Sequence, residues 1–283
     1  MDQRKVSEFT YSSRKCPEFM CLRLVRCLEC DLVYAPTPPN AEHLKEAYTQ
    51  AAYDSSLEAT AAARSYAKAL RPHLASLAGR GAAVDVGAGS GPLLPWLVQS
   101  GFSPVIGIEP SQAAIDAAPQ EIRPMLRLSM FSPELIADLS PSLLCSFMTL
   151  EHLGDPAEFV NSAYASLNPG GMLAVVVHNW RAPINRLLGR RSPIIDVEHL
   201  QLFSPKSLEK LFRSVGFADI RMNTIANAYP LRYWLRLTPL PVGVKNLCEK
   251  ALACVKIANV HVPLRVGNIL AVGVKPSTAA AAG

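Results

Sequence analysis

Four groups of residues in this chain have types and spacings that suit chemistry. The first is Asp85-x-Gly87-x-Gly89-x-Gly91. It follows an apolar run, Ala82 to Val86, and precedes a helical pattern at Leu93, Leu94 and Leu97. Glycine has no Cβ, so such a turn lets backbone come close to a ligand. The helix behind it offers unpaired N–H donors. Strand, glycine turn and helix together are how α/β sheets hold nucleotide-like cofactors at their carboxyl edge. The second is Glu109, 18 residues beyond Gly91, closing the run Val105 to Ile108. A carboxylate there can accept both hydroxyls of a ribose. Ser111 just after it also suits a helix start, and both readings hold together. The third is a pair of histidines, His152 and His199, able to take a proton near neutral pH. The fourth is Cys16, Cys21, Cys27 and Cys30, four thiols that suit tetrahedral Zn²⁺.

The elements that must position these groups follow from periodicity. Apolar strands are expected at 82–86, 104–109, 125–128, 143–150 and 172–178, each followed by a helix or turn. Helices are expected at 93–99, 112–118 and 156–167, the last ending at Asn168-Pro169-Gly170-Gly171. Ser204 and Pro205 open a helix with apolar Leu208, Leu211, Phe212 and Val215, which stops at Gly216. Residues 268–274 form a closing strand. Upstream, Asn40 caps a helix through Tyr48, and an alanine-rich helix runs from Ser56 to Leu77, where Pro72 should kink or break it. The alternation predicts a doubly wound parallel sheet with helices on both faces.

Spacing narrows the ligand. A dinucleotide fingerprint needs a third glycine at 92, which is Pro. The third glycine is Gly91 instead. That pattern resembles motif I of class I S-adenosylmethionine (SAM) methyltransferases. Leu150-Glu151-His152-Leu153-Gly154-Asp155-Pro156 resembles the "EH" segment of that family. Pro169-Gly170-Gly171 and His199-Leu200-Gln201-Leu202-Phe203-Ser204-Pro205-Lys206-Ser207-Leu208 are similar to its later motifs. The resemblance spans roughly residues 16 to 224 and the final strand. It implies a seven-stranded Rossmann-like sheet and SAM as cofactor. It assigns SAM to Asp85, Gly87, Ala88, Gly89 and Gly91, and the ribose to Glu109 with Pro110. Ser129 and Met130 fall near the adenine, and Thr149 and Leu150 complete the site. Two acids common in the family are missing, near Ser129 and Ser142.

The family transfers a methyl group to a small acceptor. The protein supplies position and, for a hydroxyl or acidic carbon, a base. His199 and His152 are the candidate catalytic bases, and His178 and Asn179 suit the acceptor pocket. Tyr48 or Tyr53 suits shielding the sulfonium.

Cys27-Leu28-Glu29-Cys30 with Cys16 and Cys21 resembles the N-terminal zinc ribbon of many bacterial methyltransferases. Structural zinc and a metal-free degenerate ribbon both remain open. The domains expected are a ribbon at 1–39, a helical lead-in at 40–78, and a methyltransferase domain at 79–276. A tail at 277–283 has nothing to pack against. Enzymes with this ribbon and core suggest O- or C-methylation of a saccharide, glycolipid precursor or secondary metabolite. A quinone or lipid methyltransferase at a membrane surface is the alternative, as is an inactive SAM-fold scaffold.

Composition sets the bounds. The chain has 283 residues, 49% hydrophobic and 18% charged, enough for a large core. Net charge +5 is mild and the basic residues form no RNA-binding stripe, so no nucleic acid partner is expected. No transmembrane run or signal peptide is seen, and seven cysteines, four within residues 16–30, suit a reducing cytoplasm. Residues 225–265 interleave aromatics, leucines and arginines. A packed helical subdomain, a lid over the acceptor, and a membrane-surface element all fit that pattern.

Overall fold

The structure is a computed structural model and describes residues 20–53 and 56–277. In chain order the elements are β1 (Val25–Arg26), β2 (Val33–Tyr34), α1 (Ala41–Thr49), α2 (Ser56–Leu74), β3 (Ala83–Val86), α3 (Leu94–Gln99), β4 (Val105–Glu109) and α4 (Gln112–Asp116). Then come β5 (Leu126–Leu128), β6 (Leu143–Phe147), α5 (Pro156–Ser166), β7 (Met172–His178), α6 (Pro183–Leu188), β8 (Gln201–Leu202) and α7 (Pro205–Val215). The last are β9 (Ala218–Thr224), β10 (Asn227–Pro230), α8 (Leu231–Arg236), α9 (Val242–Cys254), β11 (His261–Leu264) and β12 (Asn268–Val274).

Seven strands form one sheet in the order β5-β4-β3-β6-β7-β12-β9. β3 to β7 are parallel, and β12 runs antiparallel between β7 and β9. This is the expected doubly wound, Rossmann-like sheet. Strand β7 shows why its sequence is continuously apolar. Met172, Ala174 and Val176 pack into one core with Tyr66 and Leu70 of α2 and Leu97 of α3. Leu173, Val175 and Val177 pack into a second core with Phe159 and Val160 of α5 and Phe212 of α7. Both faces are covered, so neither can be polar. Helix α7 begins where its sequence says: Ser204 accepts from the Ser207 N–H and Ser207 returns a bond to Ser204.

Strand order reverses between β3 and β6, which opens a crevice at their carboxyl ends. Two local departures shape that crevice. The expected strand to Leu150 stops at Phe147, because Met148 turns to a left-handed φ of 58° and Leu150–His152 form a short 3₁₀ turn. That turn carries the Glu151-His152 pair across the sheet's carboxyl edge. Helix α2 ends at Leu74, two residues beyond Pro72, and not at Leu77. α2 runs through Pro72 as one element; the proline costs the Lys68 carbonyl its helical donor, and the helix ends two residues later.

The cysteine segment is tied to the sheet domain. Strand β2 pairs with β1 and also with β8, with Val33 opposite Leu202. Asp31 takes two hydrogen bonds from the Arg181 guanidinium, at 2.7 and 2.9 Å, and another from Arg26. The Arg181 guanidinium lies 4.3 Å from the Trp180 ring centroid, and the Trp180 indole N–H donates to the Asp31 carbonyl. Residues 227–264 form a hairpin, β10 with β11, that brackets α8 and α9. Tyr229 and Tyr233 of this insertion join the α2 core, while α9 contributes no buried residue.

Arg181 holds the Asp31 carboxyl well below the usual carboxylate range. The stability it contributes is present above the ordinary carboxylate pKa of about 3.9 and is lost as pH falls toward the lowered value. Asp31→Asn should therefore destabilise the protein by about 2 kcal/mol at pH 7. Its melting curve should converge on that of the parent in strong acid. Equal thermal stability of the two proteins at pH 7 would remove this anchor from the account.

Candidate active site

A cavity of about 1410 Å³ opens at the carboxyl ends of β3, β4, β6 and β7. Its floor is the glycine turn. Gly87, Gly89 and Gly91 all have positive φ, 76°, 57° and 72°. A Cβ on Gly87 would strike the Thr149 hydroxyl at 2.2 Å, and one on Gly91 would strike Ile122 at 2.5 Å. A Cβ on Gly89 would meet nothing nearer than the Tyr53 ring at 3.9 Å, so the space above Gly89 is open to a ligand. The Tyr53 hydroxyl shares a 2.8 Å hydrogen bond with Ser90 and closes this end.

Two carboxyls stand beside the turn. Glu109 accepts the Gly89 N–H at 2.7 Å and the Ser111 N–H at 2.9 Å, and is 8% exposed. Burial nonetheless raises its carboxyl, and those two N–H donors act against the rise. Asp85 is 4% exposed, and its Oδ1 has no hydrogen-bond partner. Burial first, and the Glu109 charge second, push its carboxyl up to about 8. A buried carboxyl oxygen without a donor, aimed at a cavity that bare glycine backbone lines, fits an amino-bearing nucleoside ligand. Glu109, clamped in place by main-chain donors, fits that ligand's ribose.

The far wall is a histidine cluster. His152 and His199 lie tilted against each other at a centroid separation of 4.9 Å, and His178 meets His199 edge-on at 5.1 Å. His178 Nδ1 lies 2.7 Å from Glu151 Oε1. The Nδ1 atoms of His152 and His199 face the Glu198 and Ile194 carbonyls at 3.1 and 2.9 Å. Tyr48 packs edge-on against His152.

A family model for a methyltransferase domain matches residues 57–221. The chain belongs to the class I SAM-dependent methyltransferases. It is an enzyme, and its cofactor is SAM. No curated protein sequence matches it. Solved structures share the fold. A methyltransferase from Bacillus halodurans is 18% identical with a TM-score of 0.52, covering 74% of this chain and 98% of its own. One from Thermotoga maritima, described as a possible histamine N-methyltransferase, is 19% identical with a TM-score of 0.50, covering 77% and 92%. One from Archaeoglobus fulgidus is 16% identical with a TM-score of 0.50, covering 75% and 94%.

Most of the expected site residues meet at this methyltransferase's cavity. Asp85, Gly87, Ala88, Gly89, Glu109, Pro110, Ser129, Met130, Thr149, His152 and His199 all line it. Two do not. Gly91 packs against Ile122 and Leu126, because its role is the tight turn into α3. Leu150 is fully buried in the second core, because the 3₁₀ turn rotates it inward. Ser142, where an acid was missing, sits at the amino end of β6, on the opposite edge of the sheet. Its hydroxyl accepts the Gly81 N–H there, so this departure does not touch the cavity.

Of the cysteines, Cys16 lies outside the described residues. Cys27 and Cys30 share one turn, with the Cys30 N–H pointing at Cys27 Sγ at 3.5 Å. That N–H holds the Cys27 thiol below its usual range, as a metal-binding knuckle would, while burial raises Cys30. Among the described residues, Cys21 does not converge with them within ligand distance.

The sequence reading missed one pairing, Glu151 with His178. The signal was present: Glu151 follows the fourth strand after a short turn and His178 closes the fifth, adjacent and parallel to it, so both fall at the same edge.

Gly89→Arg should abolish SAM binding by filling the open space, with the fold retained. Calorimetric affinity equal to the parent's would refute the site. Asp85 gives a pH signature. Its raised pKa means the folded state holds a proton that the unfolded state releases, so stability falls as pH rises from about 4 to about 8. Asp85→Asn should flatten that slope in ligand-free melting curves. An unchanged slope would show that Asp85 does not titrate this way.

Proposed function

We propose that this enzyme methylates an amphipathic small molecule with a hydroxylated head and an apolar body, of glycolipid-precursor or quinol type, taken from a membrane surface. SAM supplies an electrophilic methyl on a sulfonium. Asp85, Gly87, Ala88, Gly89, Glu109 and Pro110 would hold it, with Ser129 and Met130 beside its base and Thr149 near the sulfur. His152 and His199 are the proposed proton acceptors for the head. A structural Zn²⁺ is proposed for the cysteine segment, with Cys27 and Cys30 as its knuckle and, as the expected partners, Cys16 and a Cys21 that lies outside ligand distance of them in this structure.

The observation that carries the acceptor reading is the shape and surroundings of the cavity. At about 1410 Å³ it exceeds the roughly 300–1,000 Å³ usual for one small ligand. Beyond the histidines it is lined by Leu231, Tyr233, Trp234, Leu235, Leu237 and Leu252. Those residues belong to the insertion whose outer face is apolar and basic. Val242, Leu247 and Val255 are 72, 70 and 62% exposed. Residues 231–265 hold six basic side chains, Arg232, Arg236, Lys245, Lys250, Lys256 and Arg265, against Glu249 alone. That net +5 equals the charge of the whole chain, so the remainder is neutral. Exposed apolar residues among cations suit an anionic lipid surface. No helix among the described residues is long and apolar enough to cross a membrane.

A free saccharide acceptor is the second reading. It is favoured by Asn185, Asp196 and Glu198 on the histidine wall.

Co-sedimentation with vesicles of phosphatidylcholine and phosphatidylglycerol separates the two. The parent protein should bind in proportion to the anionic lipid and release with salt. Reversing Lys245, Lys250 and Lys256 to Glu should cost at least about 3 kcal/mol, a hundredfold or more, with SAM affinity unchanged. No vesicle binding, with methylation of water-soluble saccharides, would establish the second reading.

A further inference from the structure

The histidine wall holds more than a base requires. Glu151 is 1% exposed, and its Oε2 has no hydrogen-bond partner. Among the described residues its only ion pair is with the His178 ring. A buried carboxylate with one bare oxygen carries a desolvation cost that a second charge-bearing partner would remove. Beside it, the Ile194 carbonyl can pair only with a protonated Nδ1 of His199, at 2.9 Å, and the Glu198 carboxylate lies 3.9 Å from Nε2. Metal-binding histidines are held this way, by a carbonyl or carboxylate on the other ring nitrogen. One ligand atom from each of Glu151, His178 and His199 lies within 4.8 Å of the other two. Bonds of about 2.0–2.2 Å place ligands about 3–3.5 Å apart, so small side-chain rotations would close the set.

We infer that Glu151, His178 and His199 bind one divalent transition cation on the wall of the acceptor half of the cavity, and that this cation takes the acceptor hydroxyl. Two imidazoles and a carboxylate suit Zn²⁺, Co²⁺ or Fe²⁺. Three protein ligands leave coordination positions open, and His178 and His199 both face the cavity. The inference rests on the hydroxylated head proposed above. A bound hydroxyl replaces a water on the cation and loses its proton to His152, since the cation lowers its pKa; His199, once it ligates the cation, serves as a ligand and not as a base. The oxygen then forms its bond to the methyl carbon as the carbon–sulfur bond breaks with its electron pair on sulfur. The products are the methyl ether and S-adenosylhomocysteine, and nothing is oxidised or reduced.

The test needs neither SAM nor the acceptor. Co²⁺ is titrated into metal-stripped full-length protein and followed by calorimetry and visible absorption. Besides any Co²⁺ taken up by the cysteine knuckle, which the charge-transfer band of cobalt–thiolate bonds marks, one Co²⁺ per chain should bind with ligand-field bands alone. His178→Gln, His199→Gln and Glu151→Gln should each weaken that binding tenfold or more. SAM affinity and circular dichroism report whether each variant is folded. No saturable Co²⁺ uptake by folded protein would overturn the inference. So would uptake showing only thiolate bands, or uptake unchanged in all three variants. Failure to bind SAM would instead fall on the cofactor site, because the cobalt signal is independent of it.

Discussion

Two carboxyls, Asp85 one residue before the end of β3 and Glu109 at the end of the neighbouring parallel β4, are buried against a turn of bare glycine backbone. Most of the site depends on this arrangement. Burying carboxylates is costly unless donors meet them. Glu109 meets two main-chain N–H groups, and those bonds hold the Gly89 peptide in its left-handed conformation. Asp85 keeps one oxygen without a donor. The turn is therefore shaped by an acid that is satisfied and faced by one that is not. A cationic, hydroxyl-bearing ligand such as SAM resolves both, and part of the stability of the apo protein is given up in holding the place ready.

The rest of the cavity is built around that floor by elements distant in sequence. The left-handed Met148 ends β6 early and swings Glu151 and His152 over the edge. The loop after α6 and the segment before β8 bring His199 against both His152 and His178. Tyr53, in the connection between α1 and α2, covers the nucleoside end through its bond to Ser90, and Tyr48 of α1 packs on His152 at the other side. The insertion between β9 and β12 walls the other end with aromatics and leucines. One continuous space results, polar at its centre and apolar toward the insertion.

The cysteine segment has a structural logic of its own. Two two-residue strands cannot bury a core, and β1 and β2 are completed by β8, which belongs to the same chain region as His199. Asp31, Arg181, Arg26 and Trp180 lock the joint. The β1-β2-β8 sheet thus braces the segment that carries the histidine wall. Disturbing the cysteines is then expected to be felt at the acceptor side more than at the glycine turn.

The chain by itself determined the sheet, because alternation and capping are local. Continuous apolar runs marked the strands covered on both faces, Ser204 and Gly216 bounded α7, and the Asp85-to-Gly91 spacing with Glu109 carried the family resemblance that implied the cofactor. Local signals also misled where backbone conformation intervened. Leu150 reads as a strand residue facing ligand, yet one left-handed residue before it turns it into the core. Gly91 reads as a ligand contact, yet close packing of Ile122 is what forbids a side chain there. Only the tertiary structure decided what depends on residues far apart: Glu151 against His178, His199 beside both histidines, Asp31 on Arg181, Ser142 on the wrong edge to matter. Those contacts arise from strand order and loop paths, which no periodicity encodes, and they are what distinguishes the acceptor half of this site from the cofactor half.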